Sequence, residues 1–176
     1  MRYGLMSNTR RSWSKKGKRT VYQNQQEFSN RYLYTAVDPI SGETFHLMDF
    51  EDASTNQTDT FLLALQEKFP DDHLIIVWDR APFHRSQALK RKHMTLISLP
   101  SYSPQLNPVE RYFGEMRKVT ANQIFREGME SLSKIVENGI LALSKNLEAI
   151  KTLTGYSWIL EQWQIVSQEM IVRRCA

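Results

Sequence analysis

The chain of 176 residues has a single cysteine, Cys175, next to its last residue. Neither an internal disulfide framework nor a cysteine-based zinc site can therefore form, and a reducing, intracellular compartment fits. Long hydrophobic runs are also missing: the longest, Leu74-Ile75-Ile76-Val77-Trp78, falls far short of the ~20 residues a membrane helix needs. The start, Met1 to Arg19, is basic and lacks the apolar core of a secretory signal. No internal repeat, low-complexity tract or long linker marks a second domain. What is present is a normal share of apolar residues, 41%, with 11% aromatics, enough to bury a core and to exclude a disordered chain.

Acidic residues are scarce in two stretches. Met1 to Arg31 holds eight basic residues (Arg2, Arg10, Arg11, Lys15, Lys16, Lys18, Arg19, Arg31) against Glu27 alone. Arg80 to Arg126 holds nine more against Glu110 and Glu115, whereas Tyr32 to Asp79 carries ten acids and only Lys68. The net charge is only +4, but this segregation favours a polyanionic partner, with nucleic acid the leading class. Any single Lys or Arg can equally be solvated surface.

The pattern Arg11 to Tyr22 predicts a strand, a Gly17-containing turn and a second strand, and Arg31 to Val37 a further strand. Asp38-Pro39-Ile40-Ser41-Gly42 reads as a tight turn into a strand from Glu43 to Met48, completing an antiparallel meander. A helix capped by Ser54 or Thr55 carries Phe61, Leu62, Leu65 and Phe69 at helical spacing and stops at Pro70. Leu74 to Trp78 and Thr95 to Leu99 read as buried strands, with a short basic helix, His84 to Lys92, between them. After the proline-spaced loop Pro100 to Pro108, Asn107 and Pro108 are expected to cap and open a helix through Val119; two more follow near Leu132–Leu147 and Trp158–Ile171. The order describes an α/β fold, a mixed sheet flanked by helices, whose ligands gather beyond the carboxyl ends of the strands.

Asp79 stands at such an end, and Glu110 lies 31 positions later at the start of a helix. Each has a purely structural reading: Asp79 as a cap for the next turn, Glu110 as the reciprocal acid of a capping box opened by Asn107. Brought together, the two carboxylates can instead hold Mg²⁺ beside substrate phosphate. In a two-metal site one ion activates the attacking water or hydroxyl and the other stabilises the leaving oxygen. His46, His73 and His93 have no ligand spacing and read as surface or strand-end residues. Trp158 and Trp163 read as core or interface rather than as base-stacking platforms.

Asp79-Arg80-Ala81-Pro82-Phe83-His84, followed by Leu99-Pro100-Ser101-Tyr102-Ser103-Pro104-Gln105-Leu106-Asn107-Pro108-Val109-Glu110-Arg111, resembles the second and third acidic motifs of mariner-superfamily DDE transposases from bacterial insertion sequences. In that family L-P-x-Y-S-P-x-L-N-P-[VI]-E carries the last catalytic Glu and D-x-A-x-x-H the second catalytic Asp, on a ribonuclease-H-like fold. The resemblance extends back through Ala36 to Glu43 and Trp13 to Arg19, covering Arg2 to about Phe125. Arg80 stands where the family often has Asn, and the Asp79 to Glu110 interval is a few residues short. Arg2-Tyr3-Gly4-Leu5 matches residues that directly follow the family's first catalytic Asp.

The resemblance implies that Asp79 and Glu110 are catalytic metal ligands for Mg²⁺ or Mn²⁺, two ions in the intact site. It also implies that the first Asp and most of the central first strand lie upstream of Met1, which would leave this chain inactive alone, poorly stable and aggregation-prone. Asp38 and Asp49 are the in-chain candidates to replace that Asp. Expected contacts with double-stranded DNA are Arg10, Arg11, Lys15, Lys16, Lys18, Arg19, His84, Arg111 and Arg117. His84 could alternatively orient a metal-bound water, pack, or cap the next helix. The implied activity is DNA transposition by a nucleoid-associated, cytoplasmic transposase acting as a homodimer. Residues 1–125 would form the catalytic domain and 126–176 a helical extension of it. A non-catalytic DNA-binding or oligomerisation fragment, and a general ribonuclease-H-like nuclease, are the alternatives.

Overall fold

The computed structural model describes residues 1–6, 13–19, 21, 25–84 and 92–174, and for 166–174 only the course of the helix. Three antiparallel strands, β1 (Arg2–Gly4), β2 (Asn30–Val37) and β3 (Thr44–Phe50), pair in that order. Met1 and Leu33 exchange a further pair of main-chain bonds beyond β1. The turn between β2 and β3 is tied by Asp38, whose carboxylate accepts from the Ile40 N–H at 2.8 Å and the Ser41 hydroxyl at 2.6 Å. Gly42 closes it at φ +77°, where a side chain would also run into the carbonyl of Leu147.

α1 (Thr55–Lys68) starts where Ser54 accepts from the Gln57 N–H, and ends at Phe69, since Pro70 has no N–H to continue the ladder. β4 (Leu74–Trp78) and β5 (Met94–Ser98) then form a separate parallel pair, Leu74 beside Met94 and Trp78 beside Ser98. A single 3₁₀ turn, Pro82–His84, follows β4, and another, Pro104–Leu106, precedes α2 (Val109–Val119). α3 (Met129–Ser144), α4 (Leu147–Thr154) and α5 (Ser157–Arg174) complete the chain. Among the described residues no helix is long and apolar enough to cross a membrane.

Alternation along β2 sends Leu33 and Val37 to one side and Tyr34 and Ala36 to the other, and each side has its own core. On the first, Tyr3, Leu5 and Leu33 pack with Tyr112, Phe113 and Met116 of α2, Leu132, Val136 and Ile140 of α3, and Ile150 of α4. On the second, Phe61, Leu62 and Leu65 of α1 lie against Tyr34, Phe45 and Leu47 and also against Trp78, Met94, Ile76 and Leu96. α1 therefore bridges the two sheets. Each large apolar side chain so buried contributes ~1.5–3 kcal/mol.

Four expectations are corrected. Among the described residues no strand lies between Gly4 and Asn30: Trp13 to Arg19 holds only a turn, with the Lys18 N–H bonded to the Lys15 carbonyl and Gly17 at φ +84°. β4 and β5 are buried on one face only, leaving Ile75, Val77 and Ile97 at 47%, 43% and 46% exposure, because α2 to α4 cover the antiparallel sheet and not this pair. The C-terminal region has three helices rather than two, as Asn146 interrupts the first and caps α4 by accepting from the Ala149 N–H.

His46 is the fourth departure. It is a partly buried residue, stacked on Tyr112 at 5.3 Å, with Nδ1 3.1 Å from the Thr35 hydroxyl and Nε2 3.3 and 3.4 Å from the hydroxyls of Tyr112 and Ser144. Burial pushes its pKa down to about 4, so a neutral ring on β3 shares hydroxyl partners on β2, α2 and α3. The helix expected over His84 to Lys92 lies largely outside the described residues, which show only its opening 3₁₀ turn.

Candidate functional site

Asp79 follows β4 directly, and its carboxylate is 64% exposed. Its Oδ1 accepts from the Ala81 N–H at 3.0 Å and from His84 Nδ1 at 2.8 Å, so the capping reading is met through one oxygen. His84 Nδ1 also lies 3.2 Å from the Asp79 carbonyl. Both partners are pure acceptors, so Nδ1 carries the proton. The imidazole lies flat on Trp78, with ring centroids 4.4 Å apart and planes 3° from parallel, and meets Phe83 edge-on at 4.5 Å. Burial lowers the His84 pKa from its usual value, against the pull of Asp79.

Glu110 sits in the first turn of α2. Asn107 does open this helix, accepting from the Val109 N–H at 3.3 Å through Oδ1 and from the Glu110 N–H through its carbonyl. The reciprocal bond of a capping box is not made: the Asn107 N–H is taken by the Pro104 carbonyl, and the Glu110 carboxylate turns instead to Arg117, 3.4 Å from its Oε2. The half-exposed side chain of Glu110 is therefore not engaged in capping.

The two carboxylates come together. A cleft of about 340 Å³ is lined by Asp79, Arg80 and Ala81, by Leu99 to Pro104, and by Asn107 and Glu110. The Pro-Ser-Tyr-Ser-Pro loop supplies five of these residues, with Tyr102 fully exposed at φ +58°. Burial pushes the Met1 amino group down to about 6, with Glu110 and Asp79 pulling upward and Arg117 downward. The sheet end and the helix start thus converge on one small volume. Among the described residues, no three His, Cys, Asp or Glu side chains stand close enough to hold a metal between them.

The remaining candidate residues are dispersed. Lys15, Lys16, Lys18 and Arg19 ride exposed on the turn after Trp13, which the Ser14 hydroxyl braces by donating to the Lys18 carbonyl at 2.7 Å. Arg10 and Arg11 lie outside the described residues. Arg117 pairs with Glu110. Arg111 lies over the Tyr156 ring at 4.2 Å and donates to the Leu153 carbonyl at 3.2 Å, clamping the α4 to α5 junction. Asp38 is engaged in its turn. Asp49 occupies a bulge of β3 at φ +66°, where it accepts from Tyr3 at 2.8 Å, from Arg31 at 2.9 Å and from Ser133. Its charge is thereby committed to tying β1, β2 and α3 together. Nothing in the linear sequence signalled that knot or the inward place of His46, since each depends on partners 11 to 98 residues away.

Residues 2–132 match the family model described as DDE superfamily endonuclease. The uncharacterized protein y4pE/y4sA of Sinorhizobium fredii is 31% identical over 99 residues, 54% of this chain and 73% of that protein. Among solved structures, the Mos1 transposase paired-end complex with left transposon end aligns with a TM-score of 0.57 at 19% identity, covering 89% of this chain and 54% of that one. The Mos1 mariner paired end complex with Mn gives 0.56 at 20% identity and the same coverage. The chain spans about half the length of these solved structures. At this level of identity the likeness concerns the fold, and it agrees with the ribonuclease-H-like arrangement of strands and helices, here split into two sheets.

Proposed function

The chain belongs to the DDE superfamily endonucleases, and we propose that it is the catalytic portion of a transposase that cuts DNA and joins strands at transposon ends. The observation that carries this reading is the shared cleft of Asp79 and Glu110. The donor set suits Mg²⁺ or Mn²⁺: hard carboxylate oxygens from two elements, in an open cleft with room for water and a substrate phosphate. Among the described residues, Asp79 Oδ2 and Glu110 Oε1 accept no hydrogen bond, so each carboxylate offers one oxygen to a cation. When bound, two such ions activate the attacking oxygen and stabilise the leaving one.

The chain's own residues position the reacting groups. Asp79 and Glu110 set where the scissile phosphate sits, and the exposed basic turn tracks the DNA backbone away from it. Relatives solved as paired-end complexes support a homodimer holding two DNA ends. The cleft brings together two carboxylates among the described residues, and a third completes the motif in the family. Without it, the chain alone binds DNA but does not cut.

The test compares this chain with a form extended by the codons upstream of Met1, on DNA bearing the terminal repeats. Mg²⁺-dependent nicking by the longer form, lost in Asp79→Ala and Glu110→Ala, is the expected result. Cutting that persists in chelator, or in either variant, overturns it, and cutting without regard to terminal-repeat sequence points to a general nuclease. A second reading, a non-catalytic DNA-binding fragment that modulates a full transposase, is favoured by the absence of a three-ligand cluster among the described residues. It requires that the longer form be equally inert.

A further inference from the structure

We infer that His84 is a positioning residue that fixes the rotation of the Asp79 carboxylate, holding Oδ1 away from the cation so that Oδ2 faces the cleft. The inference rests on the reading of Asp79 as a metal ligand and adds to it the device that presents the ligand atom. Asp79 itself is exposed, at the end of a strand whose neighbour on one side is β5, so packing does not hold its side chain. His84 is the opposite: 15% exposed, flat on Trp78, edge-on to Phe83, and anchored by one nitrogen to both oxygens that Asp79 offers it, carboxylate and carbonyl.

The arrangement is a rigid ring used as a bracket for a mobile carboxylate. Trp78 is itself locked in the α1 core, so the chain of support runs from Phe61, Leu62 and Leu65 through the indole to the imidazole and then to Oδ1. The turn that returns His84 to Asp79 is the 3₁₀ turn Pro82–His84, whose His84 N–H bonds to the Ala81 carbonyl at 2.9 Å. It is also pinned to α1, where the Thr55 hydroxyl donates to the Phe83 carbonyl. The Asp79-Arg80-Ala81-Pro82-Phe83-His84 interval is thus as long as needed to fold the ring back onto the acid that begins it. Groups that support a ligating side chain in this way typically change metal affinity 10–100-fold when removed.

Two substitutions separate the bond from the packing. His84→Asn keeps an N–H donor near the Nδ1 position and loses the ring stack, whereas His84→Phe keeps the stack and loses the donor. Mn²⁺ is titrated into the chain and into both variants, reading the paramagnetic broadening of the amide resonances of Asp79, Ala81 and Glu110. The stability of each variant is measured by denaturant unfolding. The expected result is a loss of local Mn²⁺ affinity of about tenfold or more in His84→Phe and a smaller loss in His84→Asn, which keeps the donor without the ring that steadies it, with the larger stability loss in His84→Asn. Affinity in His84→Phe equal to that of the parent chain overturns the positioning role while leaving the metal reading intact. Absence of broadening in the parent chain overturns both.

Discussion

Asp79 and Glu110 reach one cleft from opposite halves of a divided sheet, Asp79 from the end of β4 and Glu110 from the helix packed on β1 to β3. Neither is used to hold the fold: Glu110 makes one half-exposed pair with Arg117, and Asp79 one bracketed oxygen. Glu110→Gln is therefore expected to leave stability within ~0.5 kcal/mol. The same variant should abolish the local Mn²⁺ effect. Unfolding midpoints and the Mn²⁺ titration, made on the same sample, check the two halves of that expectation.

His46 predicts how stability responds to acid. Its folded pKa, about 4, lies below the ordinary 6.5 because the ring is buried. The unfolded chain takes up a proton that the folded chain refuses, so this stabilisation is complete above pH 6.5 and is lost as the pH falls toward 4. At about 1.4 kcal/mol per unit the loss totals ~3 kcal/mol. Burial pulls the Asp49 carboxyl up, but bonds from Ser133, Arg31 and Tyr3 outweigh it and hold it below the usual carboxylate value, so its own loss begins at lower pH. Unfolding free energies at pH 7 and pH 5 should converge in His46→Gln. Unchanged pH dependence in that variant contradicts the assignment.

The basic residues divide into two groups with different expected effects on DNA binding. Replacing Lys15, Lys16 and Lys18 with Gln should flatten the salt dependence of affinity by about one unit of slope for each phosphate no longer neutralised, with no change in unfolding midpoint, since the three are exposed. Arg111→Ala should do the reverse. It removes the stack on Tyr156 and the bond to Leu153 and is expected to cost about 1–2 kcal/mol of stability, with the salt slope unaltered. Titrations at several salt concentrations, paired with thermal melts, distinguish them.

The bare face of the parallel pair makes a prediction about solubility. Ile75, Val77 and Ile97 form a stripe of exposed apolar side chains beside the edge of β4 that pairs with no strand among the described residues, the surface that promotes strand-to-strand association. Ile75→Lys is expected to reduce aggregation at a given concentration without lowering the melting temperature. Light scattering during a thermal ramp provides both readings.

Much of this was legible in the residues. The alternation of Arg31 to Val37, the cap at Ser54 and the stop at Pro70 follow from local chemistry, and the structure places each of them as expected, whereas the meeting of Asp79 with Glu110 was implied only by the family resemblance of their two motifs. The errors share a cause. Apolar content alone made β4 and β5 look buried on both faces, but burial depends on what covers the second face, which no local pattern states. His46 looked like a surface residue because its neighbours in sequence are a strand end, whereas its partners Tyr112 and Ser144 are 66 and 98 residues away.

The bridging position of α1 has a mechanical consequence. Asp79 hangs on the parallel pair and Glu110 on the antiparallel body, with α1 wedged against both. The gap between the two acids is therefore set by the thickness of that wedge, as the opening of a pair of callipers is set at the hinge. A change of side-chain volume at Phe61 or Leu62, remote from both acids, would retune the distance between the two carboxylates.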